Sequence, residues 1–552
     1  MRKICTFLLL FIIASQLIAQ EISIIPKPTS LTKKTGTFVI TSKTPIIAKT
    51  QDDIKSANFL NDYLKTCYGF QLPIKSSGNN GIVITSINTA DNKEGYTLDA
   101  GPKGIKIKGN SPAGAFYGIQ TLLQLLPVEK SNVLKVPAVA IKDAPVAGYR
   151  GLMLDVCRHY FPLDFIKRYI DYIAFHKMNT FHWHLTEDQG WRIEIKKYPK
   201  LNSVGSWRNG TIIGRFPGTG NTNQRYGGYY TQEEVKEIVK YAADRFITVI
   251  PEIEMPGHAS AAIAAYPHLS CFPEKSSYEY FIKEKNKPEY WAGDTIGKQV
   301  MQSWGVYADV FCAGKESTFE FLQDVLDEVL PLFPSQIVHI GGDECPKYNW
   351  ERCPNCQKRI QELNIKSDEK HKAEHYLQSY FVQRIEKYLN SKGKILIGWD
   401  EILEGGLAPN AWVMSWRGEK GGIEAAKQRH NVIMTPTTYV YLDYQQAPKE
   451  DSVTITNNRS HLSLEKVYSW KLFPDALTDE EKQYIKGGQA NLWAEYISNP
   501  RKAEYMLFPR VSAVSETLWT PQSEKNWDDF VKRAEVQKKR YKLWGVNFYG
   551  ND

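Results

Sequence analysis

The sequence predicts an α/β chain: a (β/α)8 TIM barrel over residues 145–552, preceded by a small α+β domain over residues 20–144. Three observations carry this prediction. From Gly148 onward, short strand-like runs alternate with amphipathic helical stretches, and eight alternations over about 400 residues fit a barrel that carries insertions. No Gly-x-Gly-x-x-Gly turn is present to favour a doubly wound open sheet. Each strand-like run also leads into polar or aromatic residues that a core would not need, and in a barrel the C-terminal strand ends are where chemistry gathers.

The chain opens with Met1-Arg2-Lys3, runs apolar from Phe7 to Ala14 and reaches Leu17-Ile18-Ala19. A basic start, a short apolar core and a small residue at the cut predict a signal peptide over residues 1–19, and hence an exported, periplasmic or secreted chain. The apolar run is too short for a stable anchor, and no membrane span is expected. Losing Arg2 and Lys3 takes the formal charge from +8 to +6. Basic residues are scattered among acids, so nucleic acid is not expected as a partner. Tryptophan (14) and tyrosine (31) are plentiful, and several tryptophans sit beside polar residues at strand ends, where they suit the apolar faces of sugar rings.

Removing Cys5 leaves seven of eight cysteines. An exported chain permits disulfides. Cys353-Pro-Asn-Cys356 is either a short-range disulfide or half of a zinc site; with no second Cys-x-x-Cys, zinc is not the expectation. Cys271 and Cys312 flank an insertion and could pair across it.

In the first domain, Phe38–Ile40, Gly81–Ile84 and Gly104–Ile107 read as strands, and Ile54–Tyr68 and Ala113–Leu126 as helices. Pro137 and the turn Lys142–Pro145 are expected to mark its exit. Barrel strands are expected at 151–155, 180–184, 248–251, 337–340, 395–398, 412–415, 432–434 and 489–492. Helices are expected at 163–176, 231–245, 319–332 and 374–391, with closing helices at 501–517 and 527–544. Asn209–Tyr230 and Pro273–Val310 read as insertions on the strand-end face that could shape a pocket rim.

The strand ends carry the chemistry. The first leads to Arg158. The second gives His182-Trp-His184-Leu-Thr-Glu187-Asp188-Gln-Gly-Trp191-Arg192. The third gives Pro251-Glu-Ile-Glu-Met-Pro-Gly-His258, and the fourth Gly341-Gly342-Asp343-Glu344. The remaining four lead to Trp399-Asp-Glu401, Trp416-Arg417, Tyr441-Leu-Asp443 and Trp493-Ala-Glu495. Neighbouring strand residues point to opposite faces, so Asp343 and Glu344 can serve one site only if the backbone turns there, which two glycines ease.

In order and spacing, these runs resemble glycoside hydrolase family 20, the exo-acting β-N-acetylhexosaminidases, over nearly the whole mature chain. The resemblance implies hydrolysis of terminal β-linked N-acetylhexosamine from an oligosaccharide or glycoconjugate, with no cofactor and no metal. It implies substrate assistance, in which the sugar's own 2-acetamido oxygen attacks the anomeric carbon to give an oxazolinium intermediate. Glu344 would be the general acid–base, Asp343 would orient the acetamide N–H, and Tyr441 would hold its oxygen. Arg158 and Glu495 would bind the outer hydroxyls and Asp443 the 6-OH side. Trp399, Trp416 and Trp493 would wall the pocket, with Trp470 a further candidate. His258, with Glu187 or Asp188, would brace Asp343.

Two other readings are open to the residues. His182-x-His184 matches the metal pair of amidohydrolase barrels, with His258 and His339 the nearby candidates for further ligands. The aromatic pocket would also serve a catalytically inactive glycan-binding barrel, although Asp343, Glu344 and Tyr441 together argue for an enzyme.

Overall fold

The computed structural model describes residues 22–89, 92–281, 292–448 and 461–550. The expected signal segment and part of the second insertion lie outside them.

The N-terminal domain is a seven-stranded mixed sheet, in the order 30–40, 134–143, 96–101, 104–109, 81–86, 46–47, 74–75. Helices Gln51–Tyr68 and Pro112–Leu125 belong to it. Thr50 and Asp53 form a reciprocal capping box at the first helix, satisfying two of its free N–H groups. Pro137 does not mark the domain exit. It lies inside the strand Leu134–Asp143, opposite Thr37 at an irregularity in the neighbouring strand, where a missing ladder donor is tolerated.

The barrel strands are β1 (Tyr149–Asp155), β2 (Thr180–His184), β3 (Thr248–Glu252), β4 (Ile337–His339), β5 (Ile395–Trp399), β6 (Trp412–Ser415), β7 (Val432–Met434) and β8 (Ile485–Leu492). Each pairs in parallel with its neighbour, and β8 pairs with β1 to close the ring. Inside, Tyr149, Ile250, Ile397, Trp399, Met414 and Ile433 form an apolar plug. Outside, a continuous core joins the strands to the helices. Burial of apolar surface on both faces is what a parallel sheet needs.

The helix expected over 501–517 is two helices, Pro500–Leu507 and Arg510–Trp519. Pro509 lacks the N–H that would continue the first, and Phe508 before it is extended. The last helix, Trp527–Trp544, packs against the N-terminal domain. There Tyr63 meets Phe175 and Trp544, while Arg540 donates to the carbonyls of Ser23 (2.6 Å) and Gln124 (2.7 Å). The buried Lys177–Asp143 pair (2.9 Å) adds a second tie between domain and barrel.

The segment 209–230, expected as an insertion, folds back so that its Tyr226–Gly227 pairs with Trp207–Arg208 just before it, and it carries a bridge between Ile212 and Asn221. It packs on the second insertion through Ile212, Ala292 and Trp304, beside Tyr496.

Candidate active site

β4 ends at His339, and the chain then turns through Gly341 (φ 68°), Gly342 (φ 91°) and Glu344 (φ 43°). A side chain at Gly341 would be strained by its φ, and its Cβ would sit 1.6 Å from a carboxyl oxygen of Glu254. Glu344, a non-glycine residue in the left-handed region, stores local strain. The turn brings Asp343 and Glu344 to one side. Both approach the same imidazole nitrogen, His258 Nε2, at 3.6 and 3.5 Å.

The acid pair opens into a cavity of about 170 Å³ at the C-terminal mouth of the barrel. Trp399, Trp416 and Trp493 line it with Tyr441, and Arg158, Asp443 and Glu495 sit among them. Trp416 and Tyr441 stack with centroids 6.2 Å apart, and Arg158 lies over the Trp493 ring at 5.0 Å. Asp343 Oδ1 is buried with no hydrogen-bond partner among the described residues, as are Asp443 Oδ1 and Arg158 Nε. Buried polar atoms ordinarily find partners, so these three stand out beside the cavity.

Behind the pair runs a chain of buried ionic groups. Glu187 lies 2.7 Å from His258 Nδ1, 3.0 Å from Arg158 and 3.2 Å from His184 Nε2. Asp188 also reaches His258 Nδ1 (3.0 Å) and accepts from the Ser260 N–H (2.9 Å). Both acids therefore touch the histidine, but their carboxyls are displaced in opposite directions. Burial opposes ionisation of Glu187, yet Arg158 and His258 hold it well below the usual carboxylate range. Burial leaves Asp188 raised. His258, although burial disfavours its cation, is lifted well above its ordinary value by Glu187 and Asp188. The imidazolium in turn acts on the pair. Burial pushes Asp343 up to about 6 against the pull of His258; Glu344, less enclosed, has its burial penalty outweighed by His258 and is lowered.

Glu252 is the hub beneath this chain. Trp399 Nε1 donates to it (2.8 Å), and His182, His184 and His339 lie within 3.0 Å of its oxygens. His182 Nδ1 accepts from Gln489 (3.0 Å). These partners account for the His-x-His pair as a hydrogen-bonded core cluster. Removing one partner of such a network strands buried charge, so Glu252→Ala is expected to cost about 3–5 kcal/mol. Urea unfolding of the variant measures it; a loss below 1 kcal/mol would show that the histidines repack without the carboxylate.

One expectation is corrected. Trp470 is not in the pocket wall. It is fully buried in the main core, its ring against Gly488 on β8. It reaches the strand from the helical side. His258, expected as a brace for Asp343, stands behind the acids, 3.6 Å from Asp343, and is not among the residues that line the cavity. Two further acids at the site, Glu254 and Glu401, carry no role that the sequence pattern implies. Burial, reinforced by Asp343, raises Glu254 well above its ordinary value, and neither of its oxygens has a hydrogen-bond partner among the described residues. Glu401 is pushed up to about 8, first by burial and then by Asp343, and accepts from Trp416 Nε1 (2.9 Å). Both acids were visible in the Pro-Glu-Ile-Glu and Trp-Asp-Glu runs, without a signal for which way they point. Thr437 and Tyr444 complete the lining.

A larger cavity, about 660 Å³, opens at the N-terminal strand ends between Tyr149, Thr248 and Trp412. Glu94 is the one carboxylate among its described lining residues, and Arg150 holds it at 2.8 Å. It has no converging acids.

A barrel mouth with paired acids, an aromatic wall and an arginine beside them defines a glycosidase-type site. Comparison with known proteins makes the assignment specific. The sequence profile described as "Glycosyl hydrolase family 20, catalytic domain" matches residues 148–522, and that described as "Glycosyl hydrolase family 20, domain 2" matches residues 21–144. A β-hexosaminidase of Porphyromonas gingivalis is 47% identical over 542 residues, 96% of this chain and 64% of that protein. One of Vibrio furnissii is 36% identical, over 90% of this chain and 76% of that protein. Among solved structures, the family 20 exo-β-N-acetylglucosaminidase of Vibrio harveyi bound to N-acetylglucosamine superposes with a TM-score of 0.81 at 32% identity, covering 95% of this chain and 78% of that one. A mutant β-hexosaminidase of Streptomyces plicatus with its product GlcNAc gives 0.79 at 30% identity, covering 96% of each. The chain belongs to glycoside hydrolase family 20. It spans about two thirds of the length of the P. gingivalis relative.

Proposed function

We propose that this chain removes terminal β-linked N-acetylhexosamine from the non-reducing ends of glycans or chitooligosaccharides, with retention, through an oxazolinium formed by the substrate's own acetamide. The convergence of Asp343 and Glu344 on His258 carries the reading. A retaining enzyme with its own nucleophile places two carboxyls across the scissile bond, about 5–5.5 Å apart. Here they lie side by side in front of one imidazole, so the opposite face of the anomeric carbon has no carboxylate from this pair, and the nucleophile comes from the sugar.

In this reading Asp343 Oδ1 accepts the acetamide N–H and faces the positive charge of the closing ring. Tyr441 donates to the acetamide oxygen, and the tryptophans enclose the methyl group. Glu344 protonates the leaving oxygen and then takes a proton from water. Its contact with His258 keeps it ionised in the free chain; a sugar that wedges between them and excludes water raises it to the acidic form that the first step needs. Arg158, whose planar fork suits paired hydroxyls, binds the outer edge of the ring with Glu495, and Asp443 meets the 6-OH side. A pocket that holds one ring at its end makes the cleavage exo-acting. The composition of residues 1–19 supports an exported, periplasmic or secreted setting. No helix among the described residues is long and apolar enough to cross a membrane.

The test compares nitrophenyl β-N-acetylglucosaminide with nitrophenyl β-glucoside. An oriented intramolecular nucleophile has an effective concentration of about 10⁵ M or more, so only the first should turn over measurably. Comparable glucoside hydrolysis would remove the acetamide from the mechanism. Binding without hydrolysis would establish the glycan-binding alternative.

A further inference from the structure

Four cysteines far apart in sequence meet at one point outside the active site. Cys271 and Cys312 stand at the two roots of the second insertion, next to the Ser270–Phe311 bridge. Cys353 precedes the helix Pro354–Glu362, and Cys356 lies in its first turn. All four are buried and unpaired as disulfides. Their sulfurs are 3.8 Å apart for Cys271 and Cys356, 3.7 Å for Cys312 and Cys353, and 3.6 Å for Cys312 and Cys356. All four sulfurs lie within 4.8 Å of one another.

Zinc–sulfur bonds of about 2.3 Å in a regular tetrahedron put sulfur atoms about 3.8 Å apart. The observed separations match that edge. We propose that Cys271, Cys312, Cys353 and Cys356 bind one Zn²⁺ as a closed tetrathiolate site with a structural role.

Three independent features show that the surrounding chain is built for this meeting. Gly314 lies against the helix start so closely that a Cβ there would sit 2.4 Å from the Cys356 nitrogen and 2.2 Å from the Asn355 carbonyl carbon. Only glycine lets the segment carrying Cys312 reach the Cys-x-x-Cys turn. Cys353 and Cys356 occupy the N-terminal end of a nine-residue helix, whose dipole favours thiolates. Hydrogen bonds hold the same segments in register: Trp350 Nε1 to the Phe311 carbonyl (3.0 Å), Asn349 Nδ2 to the Ala308 carbonyl (2.6 Å) and the Cys312 N–H to the Leu269 carbonyl (2.9 Å). With four protein ligands no position is open for substrate or water, so the ion would be structural. It would clamp the insertion to the loop that follows Asp343 and Glu344. Phe311, whose N–H donates to the Pro256 carbonyl (3.0 Å), extends the clamp to the segment carrying His258.

The Cys-x-x-Cys run alone did not identify such a site because its partner pair is not a second Cys-x-x-Cys. Those two ligands are separated by the insertion and are joined only by the fold.

The experiment measures zinc by inductively coupled plasma mass spectrometry in untagged, purified protein. It also counts free thiols with Ellman's reagent after denaturation with chelator and without reductant. One zinc per chain and free thiols at all seven of the cysteines described as unpaired are expected. Cys353→Ser should lose the zinc, and Cys157→Ser, at a buried position away from the cluster, should keep it. If Cys353→Ser fails to fold, Co²⁺ exchange into the wild type provides a second measurement, with sulfur-to-metal charge-transfer and tetrahedral d–d bands expected. Absence of metal with three free thiols would show that the four cysteines form two disulfides, and would overturn the proposal. Seven free thiols without metal, or stoichiometric iron in place of zinc, would overturn it equally.

Discussion

Glu344→Gln lowers kcat/KM on a β-linked GlcNAc disaccharide by about 10²–10⁴-fold, the usual worth of general acid–base catalysis. The expected loss on nitrophenyl β-N-acetylglucosaminide is smaller. Nitrophenolate leaves without a proton, so the first step on that substrate needs little from an acid, whereas a sugar alkoxide cannot depart unprotonated. The diagnostic quantity is therefore the ratio of the two losses. Steady-state kinetics on both substrates measures it. An equal fall on both would move Glu344 from leaving-group protonation to substrate binding.

Asp343→Asn is expected to lower kcat/KM on the same glycoside by about 10²–10³-fold, comparable to removing one preorganised group that stabilises transition-state charge. Asparagine keeps the shape, but it cannot balance the positive charge of the closing ring. The same substitution should stabilise the fold at neutral pH. Burial raises the Asp343 carboxyl from 3.8 to about 6, with His258 opposing. A carboxyl raised in the folded state contributes stability that is fully present below its unfolded value and is lost as pH rises through its folded value. At pH 7 the ionised wild type therefore carries a cost on the order of 2–3 kcal/mol that the asparagine variant lacks, and near pH 4 the difference largely disappears. Urea unfolding at both pH values reads this out. A variant less stable than wild type at pH 7 would show that the His258–Asp343 attraction exceeds the burial penalty. The two readouts together describe a residue kept for catalysis at the expense of the fold, a common trade at active sites.

Much of this was legible along the chain because it depends on local pattern. Strand and helix periodicity located all eight barrel strands to within a few residues. It merged the helices on either side of Pro509, because the apolar spacing continues through the proline while the hydrogen-bond ladder cannot. The turn at Asp343-Glu344 was legible from two glycines, whose conformational freedom is a property of the residue itself. Trp470 shows the limit of such reading. A tryptophan near the barrel's last strand looks the same in sequence whether it approaches from the mouth or from the helical layer, and only the packing against Gly488 distinguishes the two.

By itself, the sequence determined the α/β barrel, the preceding α+β domain and the set of acids and aromatics at the strand ends. Hydrophobic period and turn residues are written in consecutive positions. Tertiary structure alone decided how far each of those acids is displaced from its ordinary value, since the shifts of Glu187, Asp188, Asp343 and Glu344 follow from burial and from His258 and Arg158, supplied by other strands. It alone brought Cys271 and Cys312 to Cys353 and Cys356. Electrostatic environment and metal-ligand geometry are set by distance in space, and segments separated by an insertion or by several strands become neighbours only when the barrel closes.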